Sequence, residues 1–353
     1  MINNHEELAE SEGLYKFNEL AVLRINLDKL RFFSTHTVRS RQAVNIEHIN
    51  NYISNINNND DEVVPINPWF VTGFTDAEGS FMIHLEKNKD KWRVRPTFQI
   101  KLDIRDLSLL EEIKIYFNNT GSINTSNKEC VYKVRSLKDI SIIISHFDKY
   151  NLITQKKADF ELFKLIINKL NSQEHLSYEV GATVLQEIIS IRASMNLGLS
   201  SSVKEDFPHI IPVIRPLIEN MVIPHPEWMA GFVSGEGSFS VYTTSDDKYV
   251  SLSFRVSQHN KDKQLLKSFV DFFGCGGFNY HNKGNKAVIF VTRKFEDIND
   301  KIIPLFNEYK IKGELAPKYK DFKDWSLVAK MIESKSHLTT NGYKEICKIK
   351  ENM

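Results

Sequence analysis

The sequence predicts an α+β protein built from two copies of one α-β-β-α-β-β-α unit, each copy contributing an antiparallel sheet. Two observations predict this. The first is a stretch that occurs twice: Pro68-Trp69-Phe70-Val71-Thr72-Gly73-Phe74-Thr75-Asp76-Ala77-Glu78-Gly79-Ser80-Phe81 returns as Pro226-Glu227-Trp228-Met229-Ala230-Gly231-Phe232-Val233-Ser234-Gly235-Glu236-Gly237-Ser238-Phe239, 158 residues later. The second is that the letters downstream repeat as well. Asp106 answers Asp262 at an offset of 156, Asp139-Ile140 answers Asp297-Ile298 at 158, and Asp159-Phe160 answers Asp321-Phe322 at 162. His175-Leu176 answers His337-Leu338 at 162, and Glu187-Ile188 answers Glu345-Ile346 at 158. So nearly constant an offset means one unit duplicated and joined.

The elements follow in order. Residues 1–65 are the least readable part and form an extension; seven asparagines between Asn45 and Asp61, then Asp60-Asp61-Glu62, mark its end as a linker. Arg31-Phe32-Phe33-Ser34-Thr35 has a targeting-peptide flavour, but Glu6, Glu7, Glu10 and Glu12 oppose it, since such peptides are poor in acids. Each long motif reads as a helix. Asn67 suits the N-cap and Pro68 the first turn, and Gly79 and Gly237 stand where helices stop. Gly73 with Ala77, and Gly231 with Gly235, put small residues on one face of each helix. Two such faces let backbones come close, so the two helices are expected to pack together there, each ending in a glutamate. Thr72 and Ala230 lie about 100° away from that face.

Alternating runs then predict strands at Ser80–Leu85 and Arg93–Leu102, a helix at Leu107–Phe117, and after Gly121-Ser122 a further hairpin through Val131–Arg135. Helices follow at Lys138–Tyr150, Lys156–Leu170 and about Gly181–Leu197. The second half repeats the order. Strands fit Ser238–Thr243, Val250–Ser257, Phe278–Tyr280 and Ala287–Val291; helices fit Lys261–Phe273, Phe295–Tyr309, Asp321–Ser334 and Thr340–Lys350. The first repeat spans 66–197 and the second 226–353. Residues 198–225, with Pro208, Pro212, Pro216 and Pro224, join them.

Charge is distributed unevenly. The chain carries 46 basic and 45 acidic residues; residues 1–65 hold six against ten, which leaves 40 against 35 in the remainder. Ser80–Arg105 has seven basic and three acidic residues. A polyanion site is therefore a patch and not the whole surface. Cys130, Cys275 and Cys347 lack the spacing of a zinc site or a disulfide framework. No apolar run reaches membrane-spanning length.

The paired motifs resemble the LAGLIDADG homing endonucleases, in the single-chain form that carries two motifs. The hydrophobic-small-Gly core, the acid in the penultimate place and the terminal glycine all match, and the resemblance covers roughly residues 66–353. It implies that the two sheets form a saddle over DNA with the motif helices at the interface. It implies a Mg²⁺-dependent double-strand break at a long DNA site by a monomer, of the fungal mitochondrial intron-encoded type. It implies that Glu78 and Glu236 bind metal beside the carbonyls of Ala77 and Gly235. The residues make the same point: acids at helix C-termini are electrostatically disfavoured, and a hard cation with oxygen ligands compensates them. Asp76 is matched by Ser234 in the second copy, so its expected role is structural, a helix-end hydrogen bond.

The family often places a Gln at a strand end and a Lys before a later helix near the scissile phosphates. Gln258 matches the first, although its counterpart is Leu102. Lys312 matches the second when Tyr150 is aligned with Tyr309, and Lys156 serves in the first half. Base reading is expected from long polar side chains on strands: Arg93, Arg95, Gln99, Lys101, Lys133, Arg135, Arg255, Asn279 and Arg293. A rival reading on the same scaffold is an intron maturase that binds RNA. It needs the basic surface but not both acids.

Overall fold

The computed structural model describes residues 65–89, 91–172, 182–244, 249–280, 286–313 and 317–353. Pro65–Met353 forms a compact unit by itself. The readings of residues 1–64 and of the His175-Leu176 repeat lie outside the described residues.

The first half runs α1 (Pro68–Glu78), β1 (Gly79–Asn88), β2 (Lys91–Asp103), α2 (Leu107–Tyr116), β3 (Ser122–Thr125), β4 (Glu129–Val134), α3 (Leu137–Lys149), α4 (Lys156–Asn171) and α5 (Ala182–Ala193). The joining segment holds one short helix, α6 (Ser201–Asp206). The second half runs α7 (Pro226–Glu236), β5 (Gly237–Thr243), β6 (Val250–His259), α8 (Lys263–Phe273), β7 (Gly277–Tyr280) and β8 (Ala287–Thr292). It continues with α9 (Phe295–Asp297), a π-turn at Ile298–Ile302, α10 (Ile303–Glu308), α11 (Pro317–Glu333) and α12 (Thr340–Glu351). The strand orders are β1-β2-β4-β3 and β5-β6-β8-β7, and all pairs are antiparallel. The chain is thus the expected α+β duplication, with two more helices closing each half.

Each sheet buries one face. In β2 the even-numbered Val94, Phe98 and Ile100 are fully buried, and β6 does the same with Phe254 and Val256. Equivalent phenylalanines anchor the two cores. Phe81 meets Phe98, Phe147 and Phe160 at 5.3, 5.6 and 5.2 Å between ring centroids; Phe239 meets Phe254 and Phe322 at 5.2 and 5.3 Å. The long helix expected at Phe295–Tyr309 is interrupted because Pro304 has no N–H and crowds the preceding turn. By the shared caps Tyr150 and Tyr309 its counterpart in α3 is Ser145, and that of Leu305 is His146.

His146 is buried and closes a continuous hydrogen-bond chain. Thr72 Oγ1 donates to the Tyr150 carbonyl at 3.1 Å, so His146 Nε2 donates to Thr72 Oγ1 at 3.1 Å. Nδ1 then accepts from the Tyr116 hydroxyl at 2.9 Å. Burial pulls the His146 pKa down to about 3, so the ring is neutral in the folded chain. Unfolded, the same ring titrates near 6.5. Below that pH the unfolded state binds the extra proton, and stability falls until the pH reaches about 3. This group alone contributes a slope of up to about 1.4 kcal/mol per pH unit in that window. Denaturant unfolding of the protein and of His146→Gln, run between those limits, should diverge accordingly. Parallel profiles would show that the imidazole does not stay neutral inside the fold.

Candidate active site at the feet of the paired helices

The helices α1 and α7 touch backbone to backbone. A Cβ placed on Gly73 would lie 2.0 Å from the Trp228 carbonyl oxygen, and one on Gly231 would lie 2.1 Å from that of Phe70. The contact face therefore runs through the small residues, as their spacing predicts. Thr72 turns away from it into the His146 chain, whereas Ala230 reaches across to the core of the first half. The helix starts are capped by side chains: Asn67 Oδ1 accepts from Trp69 N at 2.9 Å, and His225 Nδ1 accepts from Glu227 N at 3.0 Å. The helix ends differ from expectation. Gly79 and Gly237 are extended, with φ of −75° and −69°, so they supply no left-handed turn. They supply space: a Cβ on Gly237 would lie 2.4 Å from Val233 Cγ1.

This packing brings Glu78 and Glu236 to one place. Gly235 lies so close to the first helix that a Cβ there would sit 3.1 Å from Glu78 Cγ and 3.2 Å from its Oε1. The Glu78 carboxyl is pushed up from its ordinary range, first by burial and then by the negative charge of Glu236. Two lysines flank the acids. Lys156 Nζ donates to the carbonyls of Thr75 at 2.8 Å and Ala77 at 3.1 Å. Lys318 Nζ donates to the carbonyl of Gly235, the residue equivalent to Ala77. Burial lowers both ammonium pKa values, opposed in each case by the pull of Glu78 and Glu236. A cavity of about 550 Å³ opens beside Glu78, Gly235 and Lys318 and continues past Arg105 and Asp106.

Lys318 is the residue that sequence reasoning missed, and Lys312 is the correction. Lys312 Nζ pairs with Glu112 at 2.9 Å, and its backbone N–H donates to Ser234 Oγ at 3.2 Å. That backbone bond is the counterpart of Ile153 N to Asp76 Oδ2, so Lys312 is the mate of Ile153, as the alignment of Tyr150 with Tyr309 has it, and not the second lysine of the site. Lys318 follows Tyr309 by nine residues where Lys156 follows Tyr150 by six, so the connection before α11 is three residues longer and the offset grows from 159 to 162. The offset of Asp159 to Asp321 already carried that information: applied to Lys156 it gives Lys318.

Asp76 is structural, though not through a helix-end bond. Its Oδ2 accepts from Ile153 N at 3.0 Å and from Trp228 Nε1 at 2.9 Å; its Oδ1 accepts from Thr154 Oγ1 at 2.7 Å. It ties the loop before α4 to the opposite motif helix. Gln258 is half-buried at the end of β6, opposite Val288, on the core-facing parity of that strand.

The polar side chains proposed for base reading share one parity. Arg93, Arg95, Gln99 and Lys101 alternate with the buried residues of β2, and Gln99 stands in register with Ser80 and Lys133. Arg255 on β6 and Asn279 on β7 lie on the same side of the second sheet. Arg135 and Arg293 follow the last residues of β4 and β8. Some are already engaged: Arg95 with Glu86 at 3.2 Å, Lys101 with Glu129 at 2.6 Å, and Arg255 over the Tyr242 ring at 5.2 Å. Such half-exposed pairs are weak and exchange readily for another anion.

Comparison with known proteins agrees with this geometry. The family model described as LAGLIDADG endonuclease matches residues 71–167 and 229–329, one match per half. The chain belongs to the LAGLIDADG endonuclease family. Among curated proteins it is 40% identical over 305 residues to a probable intron-encoded endonuclease 2 of Neurospora crassa, covering 82% of this chain and 65% of that one. It is 38% identical over 291 residues to a probable intron-encoded endonuclease 3 of the same organism, covering 80% of this chain and 53% of that one. The chain thus spans less than two thirds of the length of these relatives. Among solved structures, the LAGLIDADG homing endonuclease I-GzeII in complex with its DNA target is 96% identical with a TM-score of 0.79, covering 82% of this chain and 98% of that one. I-SmaMI bound to cleaved DNA is 39% identical with a TM-score of 0.76, covering 81% and 96%.

Lys312 and Lys318 can be separated by experiment within this LAGLIDADG site. Lys318→Ala is expected to slow DNA cleavage by about a hundredfold or more, as loss of a positioned cation near developing charge does. Lys312→Ala, which removes only a partly exposed ion pair with Glu112, is expected to stay within about threefold of the parent. Single-turnover cleavage of labelled DNA reads both, and the reverse ranking would restore Lys312 to the site.

Proposed function

We propose that the protein is a site-specific homing endonuclease that makes a metal-dependent double-strand break in DNA. The observation that carries this is the close packing of α1 and α7, which sets Glu78 and Glu236 together with a lysine on each side. The outer faces of the two sheets supply the DNA-binding surface, and the proposed readers are Arg93, Arg95, Gln99, Lys101, Lys133, Arg135, Arg255, Asn279 and Arg293. Because one chain carries both halves, it acts as a monomer. The intron-encoded relatives of fungi favour an organelle-encoded, mitochondrial protein.

The donor set fits a hard divalent cation. It consists of oxygens only: the Glu78 and Glu236 carboxylates and the Ala77 and Gly235 carbonyls. Each carbonyl keeps a second lone pair beside its lysine bond. Burial, and then the charge of Glu236, raise the Glu78 carboxyl, and a bound cation relieves both. We take the ion to be Mg²⁺; I-SmaMI has been crystallised on uncleaved DNA in the presence of calcium ions. When bound, the metal makes water a better nucleophile and stabilises the leaving 3′ oxygen. The chain does the rest. The glutamates orient water, Lys156 and Lys318 hold positive charge where phosphate oxygens gain negative charge, and the glycine contact keeps both acids in register. Gln258 stands in the proposal as an auxiliary group of one half only, since Leu102 cannot replace it.

The test is to incubate the protein and Mg²⁺ with the DNA target of I-GzeII and with a randomised duplex library, then sequence the ends. A defined double-strand break is expected. Binding without a break in either substrate would overturn the enzymatic reading. The maturase reading is not favoured: both acids are retained, and the solved relatives are bound to DNA.

A further inference from the structure

Gln155, the residue before Lys156, is held at three points. Its backbone N–H donates to Asp262 Oδ1 at 2.8 Å, across from the second half. Its carbonyl accepts from Arg215 Nη2 at 3.1 Å, and its side-chain amide donates to the Ile218 carbonyl at 3.3 Å, both in the joining segment. Arg215 also spans the two carboxylate oxygens of Asp159, at 2.6 and 2.9 Å, in the first turn of α4. Such a planar two-pronged pair fixes direction as well as distance. The start of the helix that presents Lys156 is thus gripped from outside its own half.

Among the described residues the other half has no such grip. The position equivalent to Gln155 is Pro317, 162 residues on, and proline has no N–H to offer. The carboxyl of Asp106, the equivalent of Asp262, accepts no hydrogen bond from the described residues and acts on Lys318 through charge alone. Asp321, the equivalent of Asp159, feels the charge of Arg105 at a distance, but among the described residues no arginine makes a two-pronged contact with it.

Resting on the endonuclease reading, we propose that Asp262 and Arg215 are positioning residues for Lys156. The segment 198–225 then sets the cutting rate of one DNA strand and not merely the distance between two halves. Lys318 works without this support, so the two strands respond differently to its loss.

The experiment uses the full chain, Mg²⁺ and the I-GzeII DNA target with each strand labelled separately, under single-turnover conditions. Lys156→Ala identifies the strand served by that lysine. Arg215→Ala and Asp262→Ala should slow the same strand by about tenfold to a hundredfold, the scale of a small misplacement of a catalytic group, and leave the other strand within about twofold. Nicked duplex should accumulate, and affinity in Ca²⁺ should not change. Asp262→Asn keeps an acceptor oxygen and should recover most of the rate. If Arg215→Ala does not fold, Arg215→Lys carries the test, because an ammonium cannot bridge Asp159 and the Gln155 carbonyl as the guanidinium fork does. Equal slowing of both strands would mean a purely structural role and overturn the proposal; so would no slowing, or slowing of the opposite strand. If Lys156→Ala itself slows neither strand, the assignment of Lys156 fails and the positioning role with it. If Lys156→Ala slows one strand and the other variants do not, only the positioning role fails.

Discussion

Glu78→Gln and Glu236→Gln should each abolish double-strand cleavage, with a rate loss of at least about a hundredfold, while affinity for DNA in Ca²⁺ stays within a few-fold. The amide keeps the size of the side chain and removes its charge, so the packing of α1 against α7 is not disturbed. What is lost is a carboxylate in a set of four oxygen donors, and with it most of the attraction for a hard cation. DNA binding should survive because the basic residues lie on the sheets and neither glutamate does. Removing a negative charge beside the phosphates also removes a repulsion, so any change in affinity is expected towards tighter binding. Filter binding and cleavage measured on the same preparation separate the two quantities. Cleavage at the parental rate by either variant would remove that residue from the metal site.

Gly73→Ala and Gly231→Ala should cost both stability and activity. The added methyl would lie 2.0 or 2.1 Å from a main-chain carbonyl oxygen of the opposite helix, and a backbone atom cannot rotate away as a side chain does. The helices must separate, at a typical overpacking cost of about 1–3 kcal/mol. The same movement parts Glu78 from Glu236, so cleavage is lost at temperatures where the variants remain folded. Gly235→Ala is the sharper case. Its methyl would meet the Ala77 Cβ at 2.5 Å and the Glu78 side chain at 3.1 Å, close to the chemistry itself. Thermal melting and cleavage by each variant check this. Full activity in Gly73→Ala would show that the helices do not meet as described. Thr72 is no reference position for this comparison, since bulk there breaks the hydrogen-bond chain through His146.

The duplication, the succession of strands and helices along the chain and the acid pair were legible because they are written in local patterns. Alternation on a strand and small residues four apart on a helix are properties of neighbours in sequence. Lys318 was obscured by loop length. Alignment from Tyr309 put Lys312 in the place of the second lysine beside the acids, and only the longer loop before α11 moves the match to Lys318. The interruption at Pro304 was signalled by the proline itself, but a regular pattern on both sides hid it. The hold of Arg215 and Asp262 on Gln155 was not legible at all. It joins three segments 60 and 107 residues apart from Gln155 at their ends, and no periodicity links them. The four bonds on Asp76 were hidden for the same reason: its partners, at 153, 154 and 228, belong to other elements.

The account stands on the claim that a divalent cation sits between the two motif helices. The most direct measurement is a crystal structure of the protein on its DNA target grown with Mn²⁺, with anomalous scattering used to locate the metal. The account predicts anomalous peaks at the feet of α1 and α7, within ligand distance of the Glu78 and Glu236 carboxylates and of the Ala77 and Gly235 carbonyls. Metal bound elsewhere in a cleavage-competent complex, with Glu78 and Glu236 contacting none of it, would contradict it.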